Sequence, residues 1–257
     1  MTIDRDKAKK AFEEYTSHYD VADEKIKLKI EHTYRVCELC EQIAIQSGFG
    51  KEETEIAWLM GLLHDVGRFE QLKQYGTFID AQSVDHAELG ADILFKKGRI
   101  RDYVEDSTED CLLEKVVRCH SAYRVPDNYN RREKQFADLL RDADKIDILK
   151  VNVIVPLEEI YNVTTYELKH CIVTEEVMQA FFEEHAVLRS LKKTPVDNVV
   201  GHISLVYELV YPISCKIMYE QGYLDKLMAF QSDLPKTNEQ FVQIRKKISE
   251  YIKRKLS

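Results

Sequence analysis

Hydrophobic positions recur along this chain with the spacing of amphipathic helices, and the alternation typical of strands is scarce. Nine glycines and five prolines leave long stretches without a helix breaker. The pattern predicts an all-α protein with helices near residues 5–18, 24–47, 52–64, 84–97, 109–120, 133–150, 174–190, 197–220 and 235–256. The segment VNVIV, residues 151–155, fits a short strand or the last turn of a helix, and both alternatives stay open.

Local signals refine several of these boundaries. Ser47-Gly48 should end the second helix, because glycine accepts the positive φ of a helix C-terminus. Asp197 is expected to cap the eighth helix, and Pro212 to kink it. A boundary near Pro156 divides a core, residues 1–155, from a helical extension, residues 156–257, which we expect to pack with the core as one unit.

Composition and charge narrow the classes of function. Hydrophobic residues make up 44% and charged residues 32% of the 257, as in ordinary globular proteins. A formal charge of −8 disfavours binding to nucleic acids or to membrane surfaces. The short basic clusters at 96–101 and 131–134 are best explained as solvated faces, with phosphate contact as the minority interpretation.

The remaining sequence signals favour a cytoplasmic protein. The charged N-terminus shows no secretory signal, and the uncharged run from Ile56 to Leu63 is far shorter than the ~20 residues of a membrane span. The six cysteines are interpreted as reduced thiols. A zinc knuckle or redox pair at Cys37 and Cys40 is the weaker alternative.

Histidines and aspartates continue the apolar faces of five predicted helices. His64 follows Ile56 and Met60 on one face, and His32 begins a similar line through Val36. The other members are His86, His120 and Asp144. A lone histidine there is usually a hydrogen-bonded core residue, but a buried, unpaired carboxylate costs several kcal/mol. A shared cation is the simplest partner for the set, and core packing remains the alternative.

Three fragments resemble the HD-domain superfamily of metal-dependent phosphohydrolases over roughly residues 20–150. EHTYRV contains His32, LLHDVGR contains His64 and Asp65, and RDADKID contains Asp144. The resemblance implies an all-α HD bundle with a C-terminal helical extension. It also implies that these four residues are metal ligands.

Members of this superfamily with two metals have two further histidines, and His86 and His120 stand in the corresponding places. The resemblance therefore implies six ligands, with Asp65 bridging two divalent transition metal ions (Mn, Fe, Co, Ni or Zn). Ser121 stands where the cyclic-dinucleotide phosphodiesterases of the HD-GYP type have another histidine, which argues against a cyclic di-GMP substrate.

The activity implied is hydrolysis of a phosphoester in a small phosphorylated, nucleotide-like or other substrate by metal-activated hydroxide. Asp65, Arg68 and Lys145 are the candidate catalytic residues, and the last two are also candidates for substrate binding. Lys145 could instead pair with Asp142 or Asp147. The segment 69–84 should line the pocket, with Gln71, Lys73 and Tyr75 exposed to ligand. Asp85 and Asp147 are expected to orient histidines.

Two other functions stay open at this point. The same ligand set holds two irons in the oxygenases of this superfamily, which cleave carbon bonds. A metal- and nucleotide-binding sensor module is the third hypothesis. Residues 156–257 could complete the pocket or form the contact of a homo-oligomer.

Overall fold

In a computed structural model, which describes residues 1–256, every regular element is a helix and no strand is present. The predicted all-α class is confirmed. The helices of the first part of the chain are α1 (Arg5–Thr16), α2 (Glu24–Gln46), α3 (Lys51–Leu63), α4 (Val66–Tyr75), α5 (His86–Ala91), α6 (Ile100–Tyr103), α7 (Asp110–Cys119) and α8 (Arg131–Ile154). Those that follow are α9 (Leu157–Tyr161), α10 (Thr165–Lys169), α11 (Glu175–Phe182), α12 (Pro195–Ile203), α13 (Pro212–Gln221), α14 (Tyr223–Met228) and α15 (Pro235–Leu256).

The helices α2 and α3 pack closely against each other. The Asp23 side chain accepts a hydrogen bond from the Lys25 amide at 2.8 Å and begins α2. Gly48, with φ of 80°, ends it as predicted. A Cβ on Gly61 would lie 2.8 Å from Cys37 Cα, so only glycine allows this close approach of the two backbones. His32 on α2 and His64 at the end of α3 are thereby brought together.

A second close approach joins α4 to α5. A Cβ on Gly67 would overlap the carbonyl oxygen of His86 and lie 2.6 Å from the Gly90 amide nitrogen. The helix α4 was not predicted, because the segment 69–84 is polar and aromatic and was expected only to line the pocket. It starts directly after Asp65, and the connection to α5 is the shorter segment 76–85, which contains a 3₁₀ turn at Asp80–Gln82.

The C-terminal helices depart most from the prediction. The single helix predicted over 197–220 is wrong, because the chain forms α12, a 3₁₀ turn at Ser204–Glu208 and then α13. Pro212 does not kink a helix but occupies the first turn of α13, where its missing N–H costs nothing. Asp197 lies in the first turn of α12, inside a capping box with Thr194, rather than at the N-cap.

Several other helix limits also differ from the prediction. The VNVIV segment continues α8, which settles the alternative left open. The helix predicted over 174–190 ends at Phe182, and the short helices α6, α9, α10 and α14 lay between predicted elements. Such short helices lack the two or three turns that an apolar periodicity needs to show itself.

By their internal contacts the residues form two compact units, one from Met1 to Asp144 and one from Lys145 onward. The limits predicted from sequence, 1–155 and 156–257, stay a prediction. Within residues 1–256, no helix is both long and apolar enough to cross a membrane. All six cysteines are free thiols, and burial raises the pKa of Cys37 and Cys40, which disfavours a reactive pair.

Candidate metal centre

One buried cluster in the first unit brings together the six predicted metal ligands. His32 comes from α2, and His64 and Asp65 form the junction of α3 with α4. His86 begins α5, His120 follows the last residue of α7, and Asp144 lies on α8. The four histidines and Asp65 are almost completely buried, and Asp144 retains slight exposure.

One half of the cluster gathers around an oxygen of Asp144. His32 Nε2 lies 3.2 Å and His64 Nε2 3.8 Å from Asp144 Oδ1, and the two nitrogens are 3.3 Å apart. Both also lie 3.5 Å from Asp65 Oδ2. Two imidazoles and two carboxylates thus surround a single point, as ligands surround a cation.

The other half of the cluster gathers around the second oxygen of Asp65. His86 Nε2 lies 3.4 Å and His120 Nε2 3.7 Å from Asp65 Oδ1. These two nitrogens are 3.1 Å apart. Since Asp65 directs one oxygen at each pair of histidines, its position is that of a bridging carboxylate between two cation sites.

The other nitrogen of three histidines explains why a cation fits. His64 Nδ1 and His120 Nδ1 each donate to a backbone carbonyl at 2.7 Å, that of Gly61 and that of Val117. His86 Nδ1 donates to Asp80 at 2.9 Å. In neutral rings protonated at Nδ1, every Nε2 presents a lone pair. The Nε2 acceptors of His86 and His120 face each other at 3.1 Å and repel unless a cation lies between them.

The pKa shifts in the cluster favour neutral imidazoles and ionised carboxylates. Burial lowers the pKa of His64 to about 4, and burial together with Arg68 lowers that of His86 to about 4, so both rings are neutral at pH 7. Burial opposes ionisation of Asp65, but Lys29 and the histidines outweigh it and hold the pKa of Asp65 well below its usual value. Neutral imidazoles and ionised carboxylates are the forms that bind metals.

Comparison with known proteins agrees with this geometry. Residues 30–150 match the family model of the HD domain. The chain carries an HD domain. No curated protein and no solved structure matches the chain. The matched range contains all six residues of the cluster, so the resemblance seen in the three sequence fragments is confirmed as an HD domain.

The residue that orients His86 in this HD domain was missed by the sequence reasoning. Asp80 accepts hydrogen bonds from His86 Nδ1 and from Arg68 Nη1, each at 2.9 Å. Burial raises the pKa of Asp80, but these donors outweigh it and keep Asp80 ionised. The predicted role of Asp85 is wrong, because Asp85 caps α5 by accepting from the Ala87 amide at 2.9 Å. Asp80 gave no helical signal, since it lies in the connection before α5.

Two cations stand at the edge of the cluster. Lys29 Nζ lies 2.8 Å from Asp65 Oδ2, and Arg68 Nε lies 3.7 Å from Asp65 Oδ1. Both side chains lie over the ring of Phe78, at 5.7 and 5.9 Å from its centroid. Arg68 was predicted and Lys29 was not, although Lys29 precedes His32 by one turn of α2 and so shares its face.

Arg68 is held chiefly by the connection that follows α4. Its Nη1 donates to the Phe78 carbonyl at 2.6 Å and to Gln71 Oε1 at 2.9 Å, while its Nε is buried without a hydrogen bond. Gln71 is fully buried and also donates to Asp80 and to the Val84 carbonyl. The prediction that Gln71 is exposed to ligand is wrong, because its amide ties the connection together from inside.

The structure locates the three other residues that were predicted to bind substrate. Lys73 is exposed, with its Nζ 5.4 Å from the centroid of the Tyr19 ring, and Tyr75 is 46% exposed at the end of α4. Lys145 directly follows Asp144 on α8 and is buried. The roles predicted for Lys73, Tyr75 and Lys145 stay predictions.

A further arginine fixes the chain beyond His120. Arg141, one turn before Asp144 on α8, is buried and donates from Nη1 to the His120 carbonyl at 3.3 Å and from Nη2 to the Tyr123 carbonyl at 3.2 Å. It also donates to the Ala122 carbonyl. These carbonyls lie at the free C-terminal end of α7, where a cation is favourable. Arg141 therefore couples the position of His120 to the helix that contains Asp144.

Proposed function

We propose that this HD domain hydrolyses a phosphoester bond of a small phosphorylated substrate with two divalent cations held by the six-residue cluster. The observation that supports this most directly is the bridging position of Asp65, which directs one carboxylate oxygen at each pair of histidines. The HD domain match supports a metal-dependent hydrolase, and the substrate class is argued from the cations around the cluster.

The six residues of the cluster would form two cation sites. His32, His64 and Asp144 would hold one cation, and His86 and His120 would hold the other, with Asp65 shared between them. The two cations would supply positive charge for the phosphoryl oxygens and make water nucleophilic near neutral pH. Asp80 keeps the ring of His86 in the tautomer that presents Nε2 to the site.

Lysine and arginine side chains beside the cluster would bind the phosphoryl group. Lys29 and Arg68 are partly buried and lie on either side of Asp65. Both also lie over the ring of Phe78. Charge on phosphoryl oxygens grows and redistributes during transfer, so fixed donors at this distance stabilise the transition state. The buried Nε of Arg68, which makes no hydrogen bond within residues 1–256, is the donor that we assign to a phosphoryl oxygen.

The experiment restores individual metals to chelator-treated protein and assays a panel of phosphomonoesters and phosphodiesters. Hydrolysis should return with at least one of Mn, Fe, Co, Ni or Zn in the intact protein, and should not return in Asp65→Ala. The matched control is Asp127→Asn, which removes an exposed acidic charge from the connection before α8 and should leave hydrolysis unchanged. Undiminished hydrolysis by Asp65→Ala would contradict the proposal, as would failure of every metal on the whole panel.

A further inference from the structure

A cleft in the first unit lies beside the basic cluster 96–101, for which the proposed function gives no role. The cleft has a volume of about 260 Å³, and its walls include Tyr15, Tyr19, Glu70, Ile93, Lys97 and Arg99. Sites for drug-sized ligands have volumes of about 300–1,000 Å³, so a ligand of this cleft is smaller than that. The walls combine aromatic, apolar, acidic and basic side chains in one small space.

The basic side of the cleft is formed by two exposed residues, Lys97 and Arg99. They flank Gly98, whose φ of 73° turns the chain before α6. The Nε of Arg99 donates to Asp102, but its two Nη groups make no hydrogen bond within residues 1–256. In the same part of the chain the ammonium of Lys97 makes no ion pair. These unused donors favour an anionic group of a ligand.

The acidic side of the cleft is formed by a row of oxygen atoms that lacks one hydrogen. The Tyr15 hydroxyl lies 3.0 Å from the Val66 carbonyl and 2.9 Å from the Tyr19 hydroxyl, which lies 2.9 Å from Glu70 Oε2. Each hydroxyl has one hydrogen to donate. Three contacts between oxygen atoms therefore share two hydrogens.

The protonation states of these groups leave the missing hydrogen unsupplied. Burial raises the pKa of Tyr15 and of Tyr19, so each hydroxyl keeps its single hydrogen. Hydrogen bonds from Gln74 and Tyr19, with Lys73 and Lys97 nearby, outweigh burial and lower the pKa of Glu70. Since Glu70 is ionised, it accepts and does not donate.

A ligand ammonium would complete the row of oxygen atoms. It would donate to Glu70 and to the Tyr19 hydroxyl oxygen, so that the hydrogen of Tyr19 is free to bind Tyr15. Tyr15 in turn donates to the Val66 carbonyl. Lys97 is near enough to Glu70 to lower its pKa, so the acidic and basic sides lie within reach of one small molecule. A ligand of a single charge would leave one of these sides without a partner.

We propose that this cleft binds a small zwitterion, an α-amino acid with an apolar side chain. The ammonium would donate to Glu70 and Tyr19, and the carboxylate would accept from Lys97 and Arg99. The apolar side chain would lie against Ile93 and the ring of Tyr15. The cleft lies wholly within the first unit, and its lining contains none of the six residues of the metal centre.

The test measures the binding of L-leucine to the intact protein by isothermal titration calorimetry. Two analogues are measured beside it: isocaproate, which is leucine without its ammonium, and isoamylamine, which is leucine without its carboxylate. L-leucine should bind at least about tenfold more tightly than either analogue, because each analogue loses a charge-assisted contact. The proposal is overturned if L-leucine does not bind, or if it binds no more tightly than the analogues.

Substitutions assign each charged group of the ligand to one side of the cleft. Lys97→Gln should weaken the binding of L-leucine about tenfold and remove its advantage over isoamylamine, and Glu70→Gln should remove its advantage over isocaproate. The matched control is Lys96→Gln, since Lys96 pairs with Asp92 at 2.8 Å and does not line the cleft. Equal binding of L-leucine by Lys97→Gln and Lys96→Gln would place the amino acid elsewhere, for instance on a metal ion, and would overturn the proposal.

Discussion

At the residue scale, the decisive feature is the direction of the imidazole nitrogens. His64, His86 and His120 each bind a fixed acceptor through Nδ1, so their Nε2 lone pairs converge on the carboxylates of Asp65 and Asp144. In a protein without a cation this arrangement places acceptor against acceptor in a buried space. A pair of cations turns the same arrangement into satisfied ligation.

Asp80 should determine whether the second cation binds. We expect Asp80→Asn to weaken binding at the His86 and His120 side by about 10- to 100-fold, because the charged acceptor that orients His86 is lost. At limiting metal the variant should retain one equivalent of metal instead of two, as measured by elemental analysis. Asp85→Asn is the control, since asparagine caps a helix as well as aspartate does. Equal metal content in the two variants would show that Asp80 does not orient a ligand.

Lys29 should contribute to phosphoryl recognition without being a ligand. Lys29→Gln should lower kcat/KM for the hydrolysed phosphoester by about 10- to 100-fold, since a charge-assisted contact of about 1.5–3 kcal/mol is lost. Metal content should be unchanged. The matched control, Lys25→Gln, removes an exposed lysine one turn earlier on α2 and should leave kcat/KM within about twofold. A loss of metal in Lys29→Gln would instead assign the residue to holding Asp65 in place.

The sequence was sufficient for residues that lie on long helices and insufficient for those in connections. The pattern of apolar positions was enough to find His32, His64, His86, His120 and Asp144, because each continues an apolar stripe, and the HD resemblance added Asp65. Asp80 could not be found, because it begins a single 3₁₀ turn, which is too short for periodic neighbours to predict what a residue faces. The exposure of Gln71 was predicted wrongly for a related reason. Its burial depends on how the connection 76–85 folds over it.

At the element scale, two glycine contacts set the spacing of the site. Gly61 lets α3 approach α2 and brings His64 to His32, and Gly67 lets α4 approach α5 and brings Asp65 to His86. The junction between α3 and α4 is where the chain changes direction, so the consecutive residues His64 and Asp65 can both face inward. Long helices were predicted well for the same reason that α4 was missed: only a sustained apolar face is visible in sequence.

Gly67→Ala should separate α4 from α5. The added Cβ would meet backbone atoms of His86 and Gly90, which cannot move independently of α5, and overpacking of this kind costs about 1–3 kcal/mol. We expect a loss of that size in the free energy of unfolding by urea, together with weaker binding at the His86 side. Gly50→Ala is the control, because its Cβ would meet nothing within 4 Å, and it should lose less than about 1 kcal/mol. Equal losses of unfolding free energy in the two variants would show that the close approach at Gly67 does not contribute to stability.

At the scale of the whole molecule, cation binding should add to stability. The six ligands lie in the first unit at five places that are far apart in sequence, from His32 to Asp144, so the cluster is assembled only when the unit is folded. A ligand that binds only the folded state stabilises it by about 2.7 kcal/mol at 100 times its dissociation constant. Metal should therefore raise the unfolding temperature of the intact protein by several degrees in calorimetry and leave that of Asp65→Ala unchanged. Equal shifts in both proteins would place the stabilising metal elsewhere.

The most direct measurement is the metal content per chain, determined by elemental analysis of protein purified without added metal or chelator. Two equivalents of transition metal in the intact protein and fewer than one in Asp65→Ala are the predicted result. An intact protein that binds no transition metal, even after Mn, Fe, Co, Ni and Zn are each supplied, would contradict the central claim that the histidine and aspartate cluster is a metal centre.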